Sequence, residues 1–585
     1  MPCAPSGRRW TVSRTNHEYL KYISGITGLS LPVAQTLVNR GMRTPEQISG
    51  FLNPSVERLS DPREIDGMSA AVSRINAAIR NGERILVHGD YDADGVTATA
   101  IMVETLRKLG ADVAYYIPNR ALGYGMGHEG VRRAADSGVS LIVTVDCGIT
   151  SHDAVSAARS RGIDVIVTDH HEPIKGSVCS GSGQEGACSY TLPDAAAIVN
   201  PRLREGFYSW SALSGAGIAF KLAQALLGNS VENAYGLLDL AALGTAADVV
   251  PLVGDNRIMV KEGGALVNSG ARPGIRAIKE AAGVKANALR VSTIQFMIVP
   301  RINAAGRIAD ATDVVKLLLT DSDDEAGQLA EWLNGLNVRR QAIGELVFDQ
   351  AMEMVRASGA DAEPDGAIVV AAEGWHPGVI GIVAARIADR YYRPTFVFSI
   401  SDGVAKGSAR SIPPFDVHAG LRRAGHLLSG YGGHKQAAGL SLPASGLDLF
   451  RQTISAIFHE AVTGDDLTPE LRIDASMKIT EINSALIADI AKLEPFGHEN
   501  EEPVFGARGL EVGRARIVGT RHLKMFLKQE GREIDSICFD LGGLIGHIRN
   551  GDIVDAAFLP VMNEWEGGRA AQLNIKALRP SIKGL

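Results

Sequence analysis

Short apolar runs without polar alternation recur between Ala70 and Thr168: Arg84-Ile85-Leu86-Val87, Asp112 to Ile117, Leu141-Ile142-Val143-Thr144-Val145 and Asp164-Val165-Ile166-Val167-Thr168. Runs of β-branched residues that lack a polar face predict strands of a parallel sheet covered on both sides. Helical stretches fall between them, the first over Val96 to Leu109. This part of the chain therefore reads as a doubly wound α/β unit.

The pattern changes on either side of that unit. The leading segment reads as helical to about Met68, including Leu31 to Arg40, and the turn Asp61-Pro62-Arg63 ends it. Helical sequence dominates again from Ser214 to about Ala357, after which Ala367-Ile368-Val369-Val370-Ala371 opens a second, smaller α/β unit that closes near Ala461. Short strands such as Ile534 to Phe539 and Leu573-Asn574-Ile575 predict a small β-barrel at the end of the chain. The expected division is an N-terminal helical segment over 1–69, the doubly wound unit over 70–270, a helical connector completing its core over 271–357, the second α/β unit over 358–462 and the barrel over 465–585. A length of 585 residues suits several units, each with a core of its own. The Gly- and Ser-rich stretch Lys175 to Tyr190, with Cys179 and Cys188, reads as an inserted solvated loop with no assigned function.

Composition narrows the class. With 45% hydrophobic and 21% charged residues the chain is globular, not fibrous or disordered. No apolar run reaches transmembrane length, and Met1-Pro2-Cys3-Ala4-Pro5-Ser6-Gly7-Arg8-Arg9 leads into polar sequence, so the cytoplasm is the expected location. Five scattered cysteines argue against a disulfide scaffold and a thiolate zinc site. A net charge of -7 is unusual for a protein that binds phosphates, but carboxylates devoted to cations count as negative in that sum.

The stretch His88-Gly89-Asp90-Tyr91-Asp92-Ala93-Asp94-Gly95 follows the first strong strand and precedes a helix. Three carboxylates and a histidine this close repel or desolvate one another at a sheet edge unless a cation compensates them. Asp146 follows Leu141 to Val145, and Asp169-His170-His171 follows Asp164 to Thr168. These groups thus project from the carboxyl ends of parallel strands, where open α/β sheets bind ligands. Asp248, in Gly244-Thr245-Ala246-Ala247-Asp248-Val249-Val250-Pro251, comes from a Gly-punctuated helix end. Alone, an Asp-Gly is a turn and an Asp-His-His a chance tripeptide; four such ends in one unit favour a metal site. Mixed His and Asp ligands without Cys favour Mn²⁺ or Mg²⁺ over structural zinc. Six candidate ligands, His88, Asp92, Asp94, Asp146, His170 and Asp248, exceed what one four-coordinate ion needs. Two ions about 3.5–4 Å apart, bridged by one carboxylate, fit better and would clamp the oxygens of a phosphoryl centre.

These residues resemble the DHH phosphoesterases and, within them, the RecJ single-stranded-DNA-specific exonucleases. The resemblance implies that His88, Asp92 and Asp146 hold one metal and Asp94, Asp146, His170 and Asp248 the other, with Asp146 as the bridge. It also implies that Asp90 and Asp169 orient ligands, and that His171 contacts the scissile phosphate or assists proton transfer. Ile117-Pro118-Asn119-Arg120 with Gly123-Tyr124-Gly125, and Pro300-Arg301-Ile302-Asn303-Ala304-Ala305-Gly306-Arg307, resemble substrate-facing segments. Arg120, Arg301 and Arg307 can grip phosphates bidentately and Asn303 can hydrogen-bond them, with Tyr124 alongside. The second unit resembles the DHHA1 domain through Gly374-Trp375-His376-Pro377-Gly378, Gly407-Ser408-Ala409-Arg410-Ser411 and Gly432-Gly433-His434-Lys435, which makes His376, Ser408, Arg410 and His434 candidate contacts to a strand's backbone. The last unit resembles an OB-fold, with Lys524 and Trp565 as candidate contacts to single strands; Phe526 is expected in its core.

The resemblance runs over almost the whole chain and departs from it twice, at the Lys175 to Tyr190 insertion and in the acidic loop Glu494-Pro495-Phe496-Gly497-His498-Glu499-Asn500-Glu501-Glu502. It implies stepwise 5′ to 3′ hydrolysis of single-stranded DNA to mononucleotides in recombination and repair. Single-stranded-DNA-binding protein and a helicase would be partners. The rivals are a phosphatase or phosphodiesterase for short oligonucleotides or cyclic dinucleotides, which has no need of an OB-like unit, and an inactive DNA-binding scaffold on the same fold.

Overall fold

The computed structural model describes residues 8–13, 15–120, 123, 125–175, 190–204, 206, 209–285, 290–357, 366–565 and 568–581. The chain divides into two compact units: Gly50–Arg339 with Leu493–Glu501, and Met1–Ser49 with Arg340–Lys492 and Glu502–Leu585. Among the described residues no helix is long and apolar enough to cross a membrane.

The first unit is built on five strands, Val113–Tyr116, Ile85–His88, Leu141–Val145, Asp164–Thr168 and Ala197–Val199 in that spatial order. Every pairing is parallel. Successive side chains enter different cores. Ile85, Val87, Leu141, Val143, Val145 and Ile166 join one apolar cluster, while Leu86, Ile142, Val165 and Val167 join another. That is why the sequence shows no polar alternation here. The helix Ala93–Lys108 lies in the first cluster, with Ala98, Ala100, Ile101, Met102 and Val103 all buried. Its Asp92 cap accepts from the backbone N–H groups of Asp94 and Gly95, so it begins directly at the strand end. Because the first strand in sequence, Ile85–His88, sits between the second and the third, the sheet reverses its winding beside it. Doubly wound sheets open a ligand crevice at that switch point.

In the second unit a mixed sheet runs in the order Gly430–Gly433, Ala437–Pro443, Val404–Arg410, Thr395–Ser401, Ile368–Glu373. The helix Ile380–Tyr391 covers one face through Val383, Ala384 and Ile387, and the helix Leu447–Ala461 the other through Phe450 and Ile454. The C-terminal barrel consists of Phe505–Val518, His522–Gln529, Arg532–Cys538, Gly568–Pro580 and Ile553–Trp565, and the last of these pairs back onto the first. Closure leaves no unpaired edge around that circuit.

Two expectations need correction. The leading segment is not wholly helical: Arg9–Val12 is a strand paired in parallel with Glu470–Ile473, a partner so remote in sequence that local periodicity carries no sign of it. Phe526 is outside the barrel core, because Leu523, Met525 and Leu527 take the buried positions of its strand and the period of two turns Phe526 to the opposite face. Cys179, Cys188 and Tyr124 lie outside the described residues; Cys147 and Cys538 are buried free thiols.

Candidate metal centre

Each acidic or imidazole group reaches the switch point from a different element end. His88 is the last residue of Ile85–His88, and Asp90, Asp92 and Asp94 occupy the turn and first helical turn behind it. Asp146 follows Leu141–Val145 with φ of 61°, a left-handed conformation that Asp tolerates better than most residues but that still carries strain. Asp169, His170 and His171 follow Asp164–Thr168, and Asp248 caps the carboxyl end of the helix Leu238–Ala247. Among the described residues three sets bring their ligand atoms within 4.8 Å of one another: Asp146, His170 and His171; Asp94, His170 and Asp248; Asp90, Asp92 and Asp146. His170 joins two of them, its Nε2 lying 3.1 Å from Asp146, 3.5 Å from Asp248 and 3.9 Å from Asp94.

Electrostatically this arrangement is poor without a cation. Burial, reinforced by the charge of Asp92, raises the Asp94 carboxyl to about 7 and lifts Asp90 well above the carboxylate range. Burial and the charge of Asp94 do the same to Asp146 and Asp248. Burial lowers His88 to about 4, which leaves a neutral imidazole with a lone pair at neutral pH. His88 Nε2 and Asp90 Oδ1 are buried and meet no hydrogen-bond partner among the described residues. Buried polar atoms without partners are rare because each forfeits its hydration, so oxygen and nitrogen donors in this arrangement fit a hard divalent cation.

The scaffold around the centre fixes these groups. Asp169 Oδ1 accepts from the backbone of His170 and His171 and lies 2.7 Å from His171 Nδ1, while its Oδ2 accepts from Ile149 N–H. Burial opposes the charge on Asp169, yet the His171 hydrogen bond and charge hold the carboxyl below its ordinary value. Asp94 accepts from the N–H groups of Gly215 (2.6 Å) and Ala216 (2.9 Å), at the positive end of the helix Gly215–Leu226. Sequence reading missed these two residues, which act through main-chain atoms that any residue type supplies; Ser214-Gly215-Ala216-Gly217, a helix start rich in small residues, is the signal available. A Cβ on Gly215 would fall 2.4 Å from Asp146 Cβ, and one on Gly244 would fall 2.5 Å from Asp94 Oδ1. Both glycines are thus needed for close approach.

The expected substrate contacts fall at several places. Arg120 stacks over the Tyr91 ring at 5.2 Å, beside the acidic turn. Asn303 Oδ1 accepts from Ala93 N–H at 2.8 Å, so it helps cap the helix that carries Asp94. Arg301 donates to Asn334 Oδ1 and to Met297 O, and burial lowers its pKa. Arg307 shares the helix Val299–Ile308 with them, and Gly306 of that helix lies so close to Tyr91 O that a Cβ would clash at 2.2 Å. In the other unit, His376 Nδ1 accepts from Gly378 N–H, and Arg410 donates to Ser408 Oγ at 3.1 Å. His434 donates its N–H to Ala437 O. Lys524 is 3.1 Å from Asp535 on the neighbouring strand, and the side chain of Trp565 lies outside the described residues.

A parallel sheet that gathers aspartates and histidines at its switch point defines the chain as a DHH-type protein. The DHH family, N-terminal domain, matches residues 84–245, the DHHA1 domain residues 365–460 and the RecJ OB domain residues 473–577. The single-stranded-DNA-specific exonuclease RecJ of Bacillus subtilis is 38% identical over 98% of this chain and 71% of its own length. The Escherichia coli exonuclease of the same name is 36% identical over 93% of this chain and 94% of its own. The crystal structure of Thermus thermophilus RecJ in complex with Mn²⁺ superimposes with a TM-score of 0.81 at 33% identity, covering 98% of this chain and 80% of that one. The chain belongs to the RecJ family.

Proposed function

We propose that this chain is a metal-dependent exonuclease that hydrolyses single-stranded DNA stepwise from its 5′ end to mononucleotides, in recombination and repair. The observation that carries the reading is the convergence of buried, charge-crowded carboxylates with His170 at the switch point of a RecJ-family sheet. Two divalent ions, Mn²⁺ or Mg²⁺, suit the donors: His88, Asp92 and Asp146 for one, and Asp94, Asp146, His170 and Asp248 for the other, with Asp146 shared. Bound there, such ions supply positive charge to the phosphoryl group and acidify the attacking water.

The chain's own groups do the rest. Asp90 and Asp169 orient their neighbours. Burial works against charge on His171, but the hydrogen bond and charge of Asp169 raise its pKa to about 9. In the metal-free chain it is therefore an imidazolium at neutral pH, with Nδ1 held by Asp169. Arg120, Arg301, Asn303 and Arg307 contact the strand near the centre, and Tyr124 remains a candidate contact from its sequence segment. His376, Ser408, Arg410 and His434 contact the strand in the DHHA1 unit, and Lys524 and Trp565 in the barrel. The unit over 70–270 and its connector over 271–357 share the first of these roles, and the units over 358–462 and 465–585 carry the others. Single-stranded-DNA-binding protein and a helicase are the protein partners this reading implies, and the cytoplasm is its place of action.

Digestion of 5′-labelled and 3′-labelled single strands beside a matching blunt duplex, with Mn²⁺, Mg²⁺ or chelator, tests the proposal. Metal-dependent early release of 5′-terminal mononucleotides with the duplex spared is the expected result. Turnover confined to cyclic or very short nucleotides moves the substrate to small molecules, and no metal-dependent turnover of any of them leaves a binding scaffold.

A further inference from the structure

The turn Asn200-Pro201-Arg202 follows the last strand of the parallel sheet, and its side chains hold the backbone of the paired histidines. Asn200 is 1% exposed. Its Nδ2 donates to the main-chain oxygen of His171 at 2.9 Å, while its Oδ1 accepts from Arg202 N–H at 2.8 Å. A flipped amide would set donor against donor and acceptor against acceptor, so both bonds hold in one orientation only. The Arg202 guanidinium continues the pattern: Nε donates to the main-chain oxygen of His170 at 2.9 Å and Nη1 to Glu172 at 2.8 Å. Asp169 N–H in turn donates to Val199 O, just before the turn. Three consecutive residues, His170, His171 and Glu172, are thereby pinned from a single turn, on atoms other than those that face the carboxylates.

We propose that Asn200 and Arg202 are positioning residues that set the direction of the His170 and His171 imidazoles. An imidazole swings with its own main chain, and the Asp169 carboxylate holds the N–H side of this loop together with Nδ1 of the His171 ring. The carbonyl side is fixed by Asn200 and Arg202. Groups that orient ligands without touching the ion or the substrate typically change metal affinity or turnover by about 10–100-fold when removed. A loss of that size with substrate affinity intact separates positioning from binding.

The inference rests on the proposed nuclease reading, and Asn200→Ser and Asn200→Ala in the full-length chain test it. Serine keeps an oxygen able to cap Arg202 N–H but is too short to reach His171 O; alanine loses both bonds. For each variant, kcat and KM are measured on 5′-phosphorylated single strands, Mn²⁺ affinity by electron paramagnetic resonance of the free ion, and metal-free melting by circular dichroism. The expected result is a fall in kcat of about 10–100-fold at unchanged KM, with Mn²⁺ affinity reduced about tenfold, in both variants. Arg202→Lys, which keeps the charge but not the Nε donor, should show a smaller loss of the same kind. Wild-type kcat and Mn²⁺ affinity in Asn200→Ser overturn the proposal, as does a raised KM at wild-type kcat. If Asn200→Ala fails to fold, Asn200→Ser decides. If the wild-type chain does not cleave single strands, the nuclease reading falls while Mn²⁺ affinity still tests the positioning.

Discussion

The parallel sheet and the C-terminal barrel both carry charged side chains, and they treat them in opposite ways. In the barrel, opposite charges face each other across neighbouring strands: Lys524 with Asp535 at 3.1 Å, Lys528 with Glu533 at 3.3 Å and Arg579 with Asp555 at 3.3 Å. At the switch point of the parallel sheet, Asp90, Asp94 and Asp146 are each 2% exposed and crowd like charges, although Lys and Arg are plentiful elsewhere in the chain. Cross-strand pairs of opposite sign are an ordinary contribution to sheet stability, about 0.2–1 kcal/mol each. A buried cluster of one sign lowers the stability of the empty fold and therefore marks the place where a ligand of the other sign belongs. The comparison teaches that arrangement locates the working site, whereas the number of charges does not.

The sharpest way to break this contrast is Asp146→Ala, which removes the carboxylate shared between both proposed ions. Turnover should fall about a thousandfold or more, since several kcal/mol of transition-state stabilisation are at stake, with the circular dichroism spectrum unchanged. Wild-type-like activity in that variant would refute the shared-ligand arrangement.

Next in size is the effect of the metal on stability. Mn²⁺ at a hundred times its dissociation constant should stabilise the chain by about 2.7 kcal/mol for each ion bound, read as a rise in melting temperature that chelator reverses. The dependence on pH has a definite sign. Asp94 and His171 have folded values of about 7 and about 9, both above their ordinary values of 3.8 and 6.5. Their contribution to stability is full below the ordinary value and is lost as pH rises through the folded one. The metal-free chain should therefore lose melting temperature as pH rises, through Asp94 between pH 3.8 and about 7 and through His171 between 6.5 and about 9, and saturating Mn²⁺ should flatten the Asp94 part of the decline, because ligands bind metal in place of protons. A metal-free melting temperature that rises across that window would contradict the charge-crowded centre.

Gly244→Ala separates contact from propensity. Helix propensity alone assigns alanine an advantage of about 1 kcal/mol, but the new Cβ would lie 2.4 Å from Ala216 Cβ and 2.5 Å from Asp94 Oδ1. Overpacking should win, with a destabilisation of about 1–3 kcal/mol in urea unfolding and reduced turnover. An unchanged or improved midpoint with full activity would show that the helix can move away from Asp94.

The smallest effect is expected in the barrel. Lys524→Ala should raise KM for single strands a few-fold, leave kcat alone and reduce the salt slope of binding by about one. A large fall in kcat would erase the distinction between the two regions.

Much of this was legible before any coordinates. Leu141–Val145 and Asp164–Thr168 lie where their apolar runs put them, because a strand buried on both faces leaves a continuous β-branched signal. The acidic and imidazole residues at the ends of these runs were also visible, since side chains of that kind in that place have few other uses. The expected phosphate contacts were less so. Asn303 and Arg301 spend hydrogen bonds on Ala93 N–H and Met297 O, which are backbone atoms and have no signature in a sequence. Asn200, Arg202 and Gly215 escaped notice for the same reason, as did the close approach to Asp94 that Gly244 permits: each matters through a carbonyl, an N–H or an empty volume contributed by a remote element.

By itself, then, the sequence determined the chemistry available and the elements that carry it. Side-chain type and local period are written residue by residue. Which strand lies beside which, and hence that Asp94, Asp146, His170 and Asp248 share one small volume, was decided only by the tertiary structure. So was the service of a buried asparagine to His171 and of its neighbour Arg202 to His170, both remote in the chain. Pairing a strand with a remote neighbour uses the same backbone hydrogen bonds whatever the residues are, so the information that selects one partner lies in the packing of the whole unit.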